Sequence, residues 1–384
     1  MEIKSVLVVG YNTRPVVFSA KRLGMKVYSV DHYGSLDLAD NSDYCLSILE
    51  EYQDESDGIF NDRFEVKKLN ELTLRVLEKY EVDGIIPTSG CDLEFLESLG
   101  IKILGNNYSK VKDVHNKYLL IKKLSKWGFN VPNTIKIEKN QDVSPILDEL
   151  GTFLIKPIYG SGGKGCRLIK SHTDKIVEDD CIAQEYISGI HASVSLISNG
   201  KEAVSLSINE QILGSRFLGR TQPFRYCGNI TPLDIKDSDK IAQDACEIIE
   251  KLGLVGSVGI DFVWDGSNYW FVEVNPRIQG SLECVERAYN LNLIKLHLDS
   301  LKGDLPSLKK NTKYSVKMIV FSKYRGKVSR NLYREGIYDV PNVGRKIEKG
   351  EPIVTIVADG NTREEAIKNA NFLVNYVYGS IIPS

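Results

Sequence analysis

The sequence contains no C-x-x-C pair, and its seven cysteines (45, 91, 166, 181, 227, 246 and 284) are odd in number and scattered. That spacing excludes a disulfide scaffold and a structural zinc site, and it fits a reducing compartment. No apolar run approaches the ~20 residues needed to span a bilayer. The first residues run straight into a strand pattern without a signal-peptide layout, so a cytoplasmic protein is expected. An excess of one charge is missing too. Forty-nine Lys and Arg against 51 Asp and Glu leave a net charge of −2, which favours neither nucleic acid nor a membrane surface as partner. There are no internal repeats and no low-complexity tract. What remains is a chain of 384 residues, 42% hydrophobic and 26% charged. That is an ordinary globular composition, too long for one core, and two or three subdomains are expected.

The opening reads strand–helix–strand. Ser5–Val9 is a buried-strand run ending at Gly10, Pro15–Leu23 has helical spacing, and Lys26–Val30 is a second strand closing on Asp31. This implies a parallel sheet. Asp31 sits at a distance from Gly10 that suits a ribose-binding carboxylate, but Gly10-Tyr11-Asn12-Thr13-Arg14 lacks the G-x-G-x-x-G pattern that admits a pyrophosphate. A helix over Leu69–Tyr80 and strands at Gly84–Pro87 and Ile101–Leu104 complete a doubly wound unit of about 110 residues. A helix over Val111–Lys126 follows, carrying Lys117, and then a strand over Phe153–Lys156.

Tyr159–Cys166, YGSGGKGC, is rich in glycine and carries Lys164, so its amides are free to turn towards an anion. It is not a P-loop, because Gly165 rather than Ser or Thr follows the lysine and no helix start receives the phosphate. A mobile flap over phosphates and a plain hairpin tip both fit. Cys181–Gly189 reads as a short strand into a turn, with His191 beyond it. Strands are expected at Ser193–Ile197 and Ala203–Ile208. Arg216–Gly228 is a basic loop with Arg216, Arg220 and Arg225, too short for nucleic acid but suited to an anionic small substrate. Helical spacing covers Ala242–Leu252, and a third unit begins after Leu293–Leu301. The tail offers strands at Ser315–Phe321, Asp339–Pro341 and Glu351–Val357 and a helix over Arg363–Val377.

Gly259–Ser281, GIDFVWDGSNYWFVEVNPRIQGS, organises the rest. Glu273 and Asn275 are two residues apart on a strand and share a face, with Trp270, Val272 and Val274 on the core side. Asp265-Gly266 is hairpin chemistry. A three-residue loop Gly266–Asn268, with Asn268 left-handed, sets Asp261 opposite Glu273. A two-residue loop instead pairs Asp261 with Val272. In the first register two carboxylates and an amide oxygen converge, hard ligands suited to Mg²⁺. Pro276 ends the strand and Arg277 leaves beside an anion. A surface hairpin with polar residues in water accounts equally for an isolated E-x-N.

Taken together, a doubly wound opening, Lys117, Lys156 with its glycine-rich flap, QEYI at 184–187 and FVEVNPRIQ at 271–279 resemble the ATP-grasp superfamily, most closely its biotin-carboxylase-related branch of predicted carboligases. The tail VPNVGRKIEKGEPIVTI is similar to that branch's small carboxy-terminal domain. The resemblance implies an α/β fold with a pre-ATP-grasp domain over residues 1–110, an ATP-grasp domain over 111–310 with its flap-bearing lobe near 130–185, and a small α/β domain over 311–384. It gives Lys117 and Lys156 to the ATP phosphates, Gly162 and Gly163 to the flap, and Gln184, Glu185, Tyr186 and Ile187 to adenine. His191 falls where relatives hold a ribose-contacting glutamate. Asp261 and Glu273 would bridge two Mg²⁺ ions (Mn²⁺ being an alternative), with Asn275 completing one. Arg277 would hold a substrate carboxylate and its acyl phosphate, with Gln279, Ser281 and Arg225 on the substrate side.

The implied activity is an ATP-dependent carboxylate–amine ligase releasing ADP and phosphate, acting on small molecules, with a homodimer compatible with the branch. Biotin carboxylases continue R-I-Q-V-E, whereas here Ser281 stands in the glutamate's place and Glu283 comes two residues late. That makes a bicarbonate-using carboxylase the second reading and an inactive nucleotide-binding module the third.

Overall fold

The structure, a computed structural model, describes residues 3–49, 64–160, 162–176, 179–307 and 310–384. Its first unit is a four-stranded parallel sheet in the order Tyr44–Ser47, Lys26–Asp31, Ser5–Val9, Gly84–Pro87. The apolar run Ser5–Val9 forms a strand covered on both faces. Val6 and Val8 pack with Val16, Val17 and Ala20 of helix Arg14–Lys21, while Leu7 and Val9 pack with Leu69, Leu72 and Val76 of helix Val66–Leu77. This two-sided cover is the signature of a doubly wound sheet. The expected strand Ile101–Leu104 shrinks to one bridge, Ile103 to Ile85. Strand order reverses between Ser5–Val9 and Gly84–Pro87, which opens a crevice at their carboxyl ends. There Gly10 lies so close to Thr88 that a Cβ would sit 1.9 Å from its Oγ1. The glycine serves strand-to-loop packing.

The expected helix Val111–Lys126 is two helices, Tyr108–His115 and Lys117–Lys126. Asn116 breaks it: its backbone is extended (φ −76°, ψ 96°) and its side chain accepts from Leu119 N, capping the second helix. Lys117 thus stands at a helix start instead of mid-helix. A small antiparallel sheet follows, in the order Thr134–Ile137, Cys181–Glu185, Phe153–Pro157, Arg167–Ile169. Helix Ser144–Leu150 closes its core through Ile146 against Phe153, Ile155 and Ile169. The glycine-rich stretch connects the last two strands; its Ser161 lies outside the described residues.

The largest element is an eight-stranded sheet in the order Tyr269–Asn275, Val255–Trp264, Ile190–Asn199, Ala203–Leu213, Tyr226–Thr231, Tyr314–Phe321, Pro352–Gly360, Ile337–Tyr338. One hydrogen-bonded sheet therefore runs across both sides of residue 310. Helix Ser238–Leu252 covers one face through Ile241, Ala245, Ile248 and Ile249, and helix Arg363–Tyr378 covers the distal strands. Two expectations change here. The basic loop ends at Arg225, because Tyr226–Thr231 is a buried strand, and the Asp339–Pro341 strand lies instead at Ile337–Tyr338, since Asp339 is left-handed (φ 56°).

A buried ionic knot ties the first unit to the eight-stranded sheet and its flanking segments. Arg14, 1% exposed, donates to Glu283 and, through Nε at 2.8 Å and Nη2 at 3.2 Å, to Asp339; Lys317 Nζ lies 2.8 Å from Glu283 Oε2. The two cations hold the Glu283 carboxyl far below the usual carboxylate range despite its burial.

Candidate active site

Asp261 lies directly opposite Glu273, by a route the sequence hides. Asp265 N donates to Asn268 O, and Asp265 Oδ1 accepts from Ser267 N and Asn268 N, so the loop is the two residues Gly266 and Ser267. The positive φ (103°) belongs to Gly266, and Asn268 is not left-handed. Such a loop would pair Asp261 with Val272, but the register shifts between Asp261 and Phe262, where a β-bulge leaves Val272 unpaired. The bulge moves Glu273 opposite Asp261 and alters which side chains face inward. Phe271 and Val274 are buried, whereas Trp270 and Val272, expected in the core, are only half-buried.

Burial and the neighbouring Glu273 hold Asp261 above the usual carboxylate range, against hydrogen bonds from Gln211 and Asn275. A pair of adjacent carboxylates with an amide oxygen beside them fits a hard divalent cation, which relieves their repulsion. Among the described residues no group of three or more His, Cys, Asp or Glu side chains is placed to hold a metal ion, so the protein ligands on offer here are two carboxylates and one amide. Lys117 Nζ lies 3.5 Å from Glu273 Oε1 and also donates to Gly160 O at the root of the flap. Arg277 leaves the strand end with Nη2 3.4 Å from Asn275 Oδ1. Asn106, at the exit of the first unit, fixes that turn by donating to Pro276 O and Val255 O at 3.0 and 2.9 Å.

Gln279 lies over Gly259, where a Cβ would come 1.8 Å from its Cδ, and accepts from Ser195 Oγ, which also meets Ser281 Oγ at 2.9 Å. On the opposite lobe Lys156 Nζ donates to Gln184 Oε1 at 2.6 Å, and Gln184 Nε2 reaches Thr134 Oγ1. Desolvation pulls the Lys156 ammonium down from its ordinary value. The N–H groups of Glu185 and Tyr186 donate to Asn133 O and Thr152 O. Ile187 continues the same edge, half-buried. His191 pairs with Val263 on the large sheet; burial, and then the Lys156 charge, bring its imidazole down to about 4. It is neutral at pH 7.

The flap is held at both ends. Lys117 N donates to Ile158 O and Asn116 Nδ2 to Tyr159 Oη, while at the tip a Cβ on Gly163 would meet Phe224 O at 1.8 Å. Gly162 has open space around it, and Arg225 lies just beyond Phe224.

Two residues near this cluster escaped the sequence reading. Gln211 bonds Asp261, and alternates with Ser207 and Asn209 along one strand, a polar period of two on a sheet face where Ser207 and Asn209 are buried and hydrogen-bonded to each other. His115 ends its helix close enough to Arg277 and Lys117 that burial and both cations lower its pKa. No local pattern marks it.

Two lobes, a glycine-rich flap and an acidic hairpin at the end of a large antiparallel sheet define a nucleotide-clamping α/β enzyme fold. A family model described as the ATP-grasp domain matches residues 114–281. An uncharacterized protein of Methanocaldococcus jannaschii is 35% identical over 381 residues, covering 97% of this chain and 90% of that one. The tyramine–L-glutamate ligase of the same organism is 28% identical over 186 residues, 48% of this chain and 50% of that one. Biotin carboxylase from Campylobacter jejuni superposes with a TM-score of 0.77 at 16% identity, covering 100% of this chain and 92% of that one, a likeness of fold alone. The chain belongs to the ATP-grasp family, whose enzymes use ATP and Mg²⁺. No described helix is long and apolar enough to cross a membrane.

Proposed function

We propose that this protein is an ADP-forming carboxylate–amine ligase. A carboxylate acylates poorly until ATP converts it to an acyl phosphate that an amine can attack. Phosphoryl transfer asks the protein mainly for positioning and charge neutralisation. The observation that carries the reading is the Asp261–Glu273 pair with Lys117 on one side and Arg277 on the other, under a flap seated on the Arg225 loop. In this reading Asp261, Glu273 and Asn275 hold two Mg²⁺ ions, which supply charge neutralisation at the phosphates. Lys117 and Lys156 orient the phosphates, with Gly162 and Gly163 closing over them. Gln184 holds Lys156, while Glu185, Tyr186 and Ile187 border adenine and His191 borders the ribose.

Arg277 receives the substrate carboxylate beside Gln279, Ser281 and Arg225. The flap excludes water from the acyl phosphate. The domain limits proposed from sequence (1–110, 111–310, 311–384) serve as working divisions. A carboxylase of bicarbonate is disfavoured because Glu283 is engaged by Arg14 and Lys317, so no carboxylate stands free at that place to deprotonate bicarbonate. The test is product analysis with Mg·ATP and a panel of carboxylates and amines. ADP and phosphate release requiring both an acid and an amine is expected. AMP as product, or turnover with bicarbonate alone, would overturn the proposal.

A further inference from the structure

The loop between strands Ala203–Leu213 and Tyr226–Thr231 carries a buried cation that no described carboxylate neutralises. Arg220 is 8% exposed; its Nη1 donates to Gly350 O at 2.8 Å and its guanidinium lies 4.9 Å over the Phe321 ring. Its Nε is buried with no hydrogen-bond partner, and no described carboxylate lies within ion-pair distance of Arg220 or Arg225. The strongest charged neighbour is Arg225, a like charge that adds to desolvation in lowering the Arg220 pKa; Cys227, Tyr11 and Tyr33 oppose it and are neutral at pH 7. A buried guanidinium left this way is unfavourable unless an anion meets it.

The place of the pair is informative. Arg225 acts on Tyr11 on one side and on Cys166 of the flap on the other. Tyr11 stands in the switch-point crevice, its N–H on Ser89 O, its ring stacked on His32 at 5.1 Å and edge-on to Phe64 at 4.9 Å. On the neighbouring loop, a Cβ on Gly90 would lie 3.3 Å from Tyr11 Cβ, and Cys91 senses Arg277. Packing ties the arginine loop to the Arg277 run: a Cβ on Gly163 at the flap tip would lie 3.3 Å from Arg225 N, and a Cβ on Gly280 would lie 3.1 Å from Tyr226 Oη.

We infer that Arg220 and Arg225, walled by Tyr11, form an anion subsite for a second negatively charged group of the substrate. The substrate class then carries two anionic groups: the carboxylate activated at Arg277 plus a distal carboxylate or phosphate ester. What sits at the Arg277 end rests on the ligase reading, but the subsite is tested without turnover. With Mg·ADP bound to the full chain, calorimetry and thermal melting are run with succinate, phenyl phosphate and, as monoanion control, acetate. At least one dianion binds the wild type more tightly than acetate and raises its melting temperature. Phenyl phosphate ahead of succinate assigns a phosphate ester, and the reverse order a dicarboxylate.

Arg220→Met weakens the dianion by about tenfold or more, as loss of a charge-assisted hydrogen bond does, and keeps its Mg·ADP affinity. Without anion it melts no lower than wild type. Arg225→Gln gives the same loss and serves should Arg220→Met fail to fold. Dianions binding no better than acetate, or equally to wild type and both variants, would overturn the subsite. Failure of Mg·ADP to bind wild-type protein would instead sink the ligase reading and leave the anion result standing.

Discussion

Gly163→Ala separates flap closure from flap conformation. Gly163 has φ +71° and its neighbour Gly162 φ +63°, so an alanine at either position meets the same left-handed backbone strain of roughly 1–2 kcal/mol. Only Gly163 touches anything: its new Cβ would come 1.8 Å from Phe224 O and 2.6 Å from Phe224 C, while nothing lies within 4 Å of a Cβ on Gly162. The tip must retreat by roughly 1 Å or more to reach an ordinary carbon–oxygen contact, in a place where the obstacle is backbone and cannot rotate away. Local strain is present whether the flap is open or shut and so cancels from nucleotide binding, whereas the clash exists only when it is shut. If closing over ATP contributes even about 1.4 kcal/mol, Gly163→Ala weakens Mg·ATP about tenfold and Gly162→Ala leaves it within a factor of about two. Calorimetric titration with Mg·ATP, alongside limited proteolysis at the flap with and without nucleotide, measures both. Equal effects of the two substitutions would refute the reasoning, because strain alone would then explain them.

Other expectations follow from the site and the knot. Glu273→Ala and Arg277→Ala should abolish ADP formation with unchanged circular dichroism and melting cooperativity; normal turnover in either contradicts the proposed roles. Glu283→Ala leaves Arg14 and Lys317 buried without their shared partner and should destabilise by about 3–5 kcal/mol in urea unfolding; a loss under about 1 kcal/mol would show the knot to be incidental. Because the native Glu283 pKa is depressed, its contribution is complete above the unfolded value near 4.3 and is lost as pH falls below it. The stability difference between wild type and Glu283→Gln should therefore narrow between about pH 4 and pH 2, which a pH series of melts would follow.

The hairpin shows how much could be read from sequence and where reading fails. The two strands and their turn were legible, and the Asp261–Glu273 pairing was reached from sequence only through a three-residue loop that the structure replaces with a two-residue loop and a bulge. The length of the loop was not legible, since Asp265-Gly266-Ser267-Asn268 admits either loop length and a bulge at Val272 has no composition of its own. Helix Ser144–Leu150 and strand Thr134–Ile137 went unread, being only seven and four residues long, and Tyr226–Thr231 mixes Gly, Asn and Thr as a loop would. The break at Asn116 sits inside an otherwise continuous helical pattern and went unread; its capping of the second helix is seen in the structure. Arg14 entered the sequence reading only as the last residue of the Gly10–Arg14 run, and its partners Glu283 and Asp339 are 269 and 325 residues away. Non-local ion pairs of that kind leave no trace in a window of a dozen residues.

The eight-stranded sheet bears on how the protein can be cut and how it can move. Strand Tyr226–Thr231 takes its outer neighbour from Tyr314–Phe321, so removing the tail would bare a long raw edge ready to pair with another chain. The tail is masonry, not an exchangeable appendage. With that wall continuous and the Arg14 knot bolting the opening unit to it, the small flap-bearing sheet stands outside both ties among the described elements, and in the proposed ligase it would be the jaw that swings.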